Sequence, residues 1–168
     1  MTSRIVASAI PATLAVLGTL IANMPVSFLG GIVPPPLLGL MPIYFWCLLR
    51  PDIMPPFWAF AVGLLEDLLS GGPPGVWAVA FIVTYAAIDR QRESFAGLAG
   101  FAAIVGFATA AAIACAAAYL VVALYYWRFP PLAPVMVELA TTVLFYLPAA
   151  VLLGWIQRRI VGPSRGDF

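Results

Sequence analysis

From Phe95 to Trp127 the chain runs for about 33 residues without a charged side chain, and from Phe129 to Gln157 it carries only Glu138. Each run exceeds the ~20 apolar residues that one crossing of a bilayer needs. Proline and glycine punctuation divides the whole chain into six apolar segments, at about 5–29, 32–49, 57–70, 75–88, 95–127 and 134–156. Of the 168 residues 64% are hydrophobic and 9% charged, where soluble domains are about half apolar and a quarter charged. A soluble core of this length has no room for so much apolar surface. The fold expected is an all-α integral membrane protein, a six-helix transmembrane bundle forming a single polytopic domain over residues 1–168.

The charges order the segments. All eight positive charges are arginine. With the N-terminus inside and six spans, Arg4, Arg50, Arg90, Arg92, Arg158, Arg159 and Arg165 fall on the cytoplasmic side and Arg128 alone outside. Positive residues favour the cytoplasmic loops, so both termini are expected there. The first apolar run is longer than a signal-peptide core and lacks a clear cleavage site, so it reads as a retained helix.

Several chemistries have no footing. There is no histidine, which removes the commonest general base and metal ligand. Cys47 and Cys115 lie in separate apolar runs and read as small buried hydrophobes. The net charge of +1 gives no footprint for nucleic acid. No nucleophile–base set, metal set or nucleotide loop is present, and no cofactor is expected. Small residues at spacings of three and four (Gly97, Gly100, Ala103, Gly106, Ala110, Ala114, Ala118) suit close helix packing, either inside the bundle or against a partner helix.

The candidate site is the stretch from Gly63 to Gly75. Glu66 and Asp67 sit in an apolar run, where Asp costs about 2.5–3.5 kcal/mol at the centre of a membrane helix. Asp67 lies about 5 Å of helical rise below Ser70, which places both acids near the outer boundary. Adjacent positions differ by about 100° around the axis, so the two cannot share a face. Asp67 shares a stripe with Gly63, Ser70 and Gly71 and is the better candidate for close helix contact. Glu66 is expected to reach the headgroup region or a neighbouring groove. Gly71, Pro73 and Gly75 forbid a continuous helix, and Asp67 and Ser70 are placed to hydrogen-bond the backbone groups so freed. A rim ion pair of Asp67 or Glu66 with Arg128 is also expected as a possibility of charge and topology.

Arg50-Pro51, followed by Gly63-Leu64-Leu65-x-Asp67-Leu68-Leu69-Ser70-Gly71-x-Pro73-x-Gly75, resembles the bacterial rod shape-determining protein MreD family. The lettered motif covers about residues 49–77; elsewhere the likeness is one of layout. Glu66 and Pro74 depart from the family pattern, which usually has an apolar residue and leucine there. The resemblance implies a scaffold subunit of the cell-elongation machinery in the inner membrane, binding an MreC-like protein. It also implies work alongside MreB filaments, a RodA-like glycosyltransferase and a class B penicillin-binding protein in lateral peptidoglycan synthesis. It implies a fold similar to the substrate-binding subunits of energy-coupling-factor transporters. A second reading is therefore a small-molecule, vitamin-like substrate-binding subunit of a membrane transporter. An intramembrane enzyme using Glu66 and Asp67 as a pair is disfavoured, because the two point apart.

Overall fold

Proline and glycine set most of the helix ends. The computed structural model of this protein describes residues 2–24, 34–91 and 101–161, and among these it contains helices and no strand. Among the described residues six helices follow in order: α1 Thr2–Ala22, α2 Leu40–Leu49, α3 Pro56–Ser70, α4 Val76–Arg90, α5 Phe101–Tyr126 and α6 Leu132–Ile156, the last running into a π-turn at Gln157–Val161. Pro56 opens α3 at a position where a missing N–H costs nothing. Gly71, at φ +68°, ends it in the left-handed conformation that glycine adopts freely.

Two stretches, Ala103–Tyr126 in α5 and Leu132–Arg159 in α6 and the π-turn, are long and apolar enough to cross a membrane. Only 33% and 17% of their most apolar windows are buried inside the protein. A helix hidden in a soluble core is mostly buried. Here Leu120, Leu124, Leu144, Val151 and Leu152 all face outward, the kind of contiguous apolar exterior that marks contact with lipid or protein.

The second apolar segment departs from expectation. Of its described residues only the last ten are helical, and residues 34–39 enter without regular helix. Pro34, Pro35 and Pro36 account for the delay, because none can donate to a helical ladder. Pro42 does not interrupt α2; it lies in the first turn, where no acceptor inside the helix awaits its N–H. The short helix is buried among its neighbours: Leu40, Ile43, Trp46 and Cys47 are fully enclosed. Tyr44 meets Phe107 of α5 and Tyr146 of α6 edge-on at 5.3 and 5.8 Å, and those two rings stack at 3.8 Å. Trp46 Nε1 donates to Gln157 Oε1 at 2.8 Å.

Non-helical backbone inside such a bundle needs partners from elsewhere. The Leu37 N–H finds one in Thr142 Oγ1 of α6, at 3.0 Å and fully buried. Thr142→Val keeps the shape and removes the acceptor, so it should cost about 1–3 kcal/mol for the orphaned donor. Thr142→Ser should cost clearly less, and thermal unfolding in detergent reads the difference.

The small-residue face of α5 is used internally. Gly106, Ala110, Ala114 and Ala118 are all buried, and α5 packs principally against α4 and then α6. Gly97 and Gly100 lie outside the described residues. Cys47 and Cys115 are buried among apolar neighbours, as expected.

Candidate functional site

The antiparallel pair of α3 and α4 carries the sequence motif. At Gly63 the two helices lie in close contact. A Cβ placed there would come within 2.5 Å of the Trp77 carbonyl oxygen and 2.7 Å of Ala78 Cα. Only glycine lets α3 lie directly on the first turn of α4. Farther from the turn the pair is tied by Tyr85, whose hydroxyl donates to the Met54 carbonyl at 2.7 Å.

One turn beyond Gly63, on the same stripe, stands Asp67. Its Oδ2 accepts the N–H groups of Gly75 and Ala78 at 2.9 and 3.1 Å, and its Oδ1 that of Trp77 at 2.8 Å. These belong to the cap and the second and third residues of α4, donors that have no partner within their own helix. A serine or aspartate at the cap normally takes such groups. Here the cap is Gly75, at φ +96°, with no side chain to offer, and Asp67 reaches across from the preceding helix in its place. The carboxylate also sits at the positive end of the α4 dipole, where negative charge is favoured. With 3% of its surface exposed, its charge is met almost entirely by protein.

Glu66 faces a different way, and of its two expected positions the structure gives the neighbouring groove, against the end of α1, and not headgroup level. It is 3% exposed, and its Oε1 accepts from Asn23 Nδ2, just beyond the end of α1, at 2.7 Å. The same nitrogen donates to the Thr19 carbonyl at 3.0 Å. Glu66 Oε2 and Thr19 Oγ1 are both buried and take no partner among the described residues. The two acids thus join α3 to two different helices, Asp67 to α4 and Glu66 to α1. Asn23→Ala should cost about 1–3 kcal/mol by leaving Oε1 unpaired. Glu66→Gln keeps that acceptor, adds a donor on the side of Oε2, and should stay within about 1 kcal/mol of the parent in the same unfolding measurement.

The remaining predicted residues divide. Gly71 and Gly75 supply the two left-handed turns of the bend, and Pro73 lies half-buried between them. Pro74 precedes α4 and its cap rather than lying in its first turn. Ser70 is exposed, and its hydroxyl makes only a long 3.4 Å contact to the Asp67 carbonyl of its own helix. It does not bind the bend. Arg128 is exposed, and the expected rim pair with Asp67 or Glu66 is not formed, since both acids are turned to other partners. The ion pair among the described residues joins Arg50 to Asp52 at 3.1 Å in the turn after α2, a half-exposed contact of small energetic weight.

Against the bend lies a cleft of about 260 Å³ between the α3–α4 turn, α5 and the start of α6. Val76, Trp77, Ala118, Val122 and Val135 make its walls apolar, and Asp67 and Glu138 are its acids. The sequence offered Glu138 only as a charge near the start of a helix; its place in the wall depends on how α6 packs. No protein-family model matches the chain, and no curated protein or solved structure matches it.

Proposed function

We propose that this protein is a non-catalytic scaffold subunit of the bacterial cell-elongation machinery, a multi-pass inner-membrane protein with both termini in the cytoplasm. One observation supports the scaffold role above the others. Asp67, the acid at the centre of the motif shared with the MreD family, is taken up by three backbone N–H groups of α4. A carboxylate so engaged builds a turn; it is not available as a general base. The arginine distribution supports the orientation. Helices α3 and α4, at 15 residues and about 22 Å each, cross as a tilted pair in this reading. Helix α2 completes its crossing through residues 34–39 in this reading, with Leu37 and Gly39 buried against the protein. Partners of this reading are an MreC-like single-span protein, then a RodA-like glycosyltransferase, a class B penicillin-binding protein and the MreB filament system.

Deleting the gene in its host should widen or round the cells, and Asp67→Ala should restore rod shape less well than the parent at equal protein level. Normal morphology under all growth conditions after deletion refutes the scaffold role. The apolar cleft beside Asp67 favours a second reading, the small-molecule-binding subunit of a transporter. Neighbouring ATPase and coupling-subunit genes would favour that reading, and a neighbouring MreC-like gene the first.

A further inference from the structure

We propose that the cleft between the α3–α4 turn, α5 and α6 binds a small soluble amine, with the Glu138 carboxylate as its counter-charge and apolar walls around its body. The walls are almost wholly hydrocarbon and aromatic, and their polar groups are already occupied. Asp67 is saturated by α4. The Tyr119 hydroxyl donates to the Pro130 carbonyl at 3.2 Å, and Ser70 to that of Asp67. Glu138 is the exception. Its side chain lines the cleft, is partly buried, and takes no hydrogen bond or ion pair among the described residues. A carboxylate held against apolar walls without a partner is unfavourable. It becomes favourable when a cation brings both charge and donors.

The chemistry of the cleft therefore specifies its occupant. One acceptor-only group calls for a donor with positive charge, which is an ammonium. Apolar walls call for a hydrocarbon body, and they include Trp77, whose ring type is the best partner for a cation. A volume of about 260 Å³ lies at the lower edge of ordinary ligand sites, which limits the body to about one ring with a short chain. An anion is excluded, because Glu138 and Asp67 would both repel it. The inference holds whether the protein serves as a scaffold or as a transporter subunit, since it concerns only what the cleft accepts.

The probe is 2-phenylethylammonium, with 2-phenylethanol as its uncharged counterpart, titrated into the purified full-length protein in detergent while thermal unfolding is followed. The amine should raise Tm saturably in the parent and the alcohol should not. Glu138→Gln should weaken the amine's apparent affinity by about tenfold or more, as expected for losing a charge-assisted contact. Val122→Trp, which fills the cleft and leaves Glu138 in place, should abolish the shift. Equal shifts from amine and alcohol overturn the proposal, as does an amine response that survives both substitutions. Should Glu138→Gln fail to fold, the Val122→Trp titration and the comparison with alcohol decide alone. In lipid nanodiscs, retention of phosphatidylethanolamine lost on Glu138→Gln, without any response to the free amine, assigns the cleft to a lipid headgroup and overturns the soluble ligand. These readouts are independent of cell shape, so failure here and failure of the scaffold reading are separable.

Discussion

Asp67→Ala should lower the unfolding free energy by about 3–5 kcal/mol, the range seen when one member of a buried charged contact is deleted. Three N–H groups of α4 lose their acceptor together. Gly75 has no side chain to replace it, and the favourable charge at the helix N-terminus goes with it. Asp67→Asn keeps one acceptor oxygen and should lose about half as much. Ser70→Ala is the control: an exposed hydroxyl with a single 3.4 Å contact should change stability by less than about 0.5 kcal/mol. Denaturant titration in detergent gives the energies. Limited proteolysis at residues 71–75 should show the turn opening in Asp67→Ala before global unfolding. A loss below about 1 kcal/mol means that water caps α4 as well as the carboxylate does, and the proposed structural role of the motif is then wrong.

The site was legible where its chemistry is local. Gly71 and Gly75 announce a bend by residue type alone, and the 100° step between neighbours separates Asp67 from Glu66 before any coordinates are known. The three donors to Asp67 lie within eleven residues of it, so a short-range argument reached them. For Glu66 the choice between headgroups and a neighbouring groove was not legible, because its partner, Asn23, lies 43 residues away, and one polar residue after a long apolar run carries no mark of what it will touch. The Leu37–Thr142 bond spans 105 residues and was hidden for the same reason. Arg128 shows the converse error. Charge balance and topology put it near the acids, but backbone donors already held Asp67 and an amide held Glu66. Although the length of the apolar run pointed to a longer segment, three consecutive prolines account for the shortness of α2. That it would become the buried centre of the bundle, pinned by Tyr44 and Trp46, depended on tertiary packing with α5 and α6.

Gly63→Ala should be costly for a reason that side-chain volume alone does not supply. A methyl group there meets the Trp77 carbonyl oxygen at 2.5 Å and Ala78 Cα at 2.7 Å. These are backbone atoms of α4, which cannot rotate aside as a side chain would, so the helices must separate. Overpacking of this kind costs about 1–3 kcal/mol, and Gly63→Leu should exceed that range. Separation has a second consequence. Trp77 and Ala78 are the residues whose N–H groups Asp67 binds, so moving them lengthens those bonds. The costs of Gly63→Ala and Asp67→Ala should therefore overlap, with the double variant less destabilised than the sum by about 0.5–3 kcal/mol. Gly72→Ala tests the alternative that any glycine in this stretch is sensitive. Its Cβ would meet only the Ser70 hydroxyl at 3.7 Å, and its effect should stay within about 0.5 kcal/mol. Gly71→Ala separates conformation from crowding: nothing stands within 4 Å of the added carbon, but φ is +68°, so only the backbone penalty of about 1 kcal/mol is expected. Strict additivity of Gly63→Ala with Asp67→Ala would mean that the crossing point and the cap act independently. The close approach at Gly63 would then not be what brings the carboxylate to the end of α4.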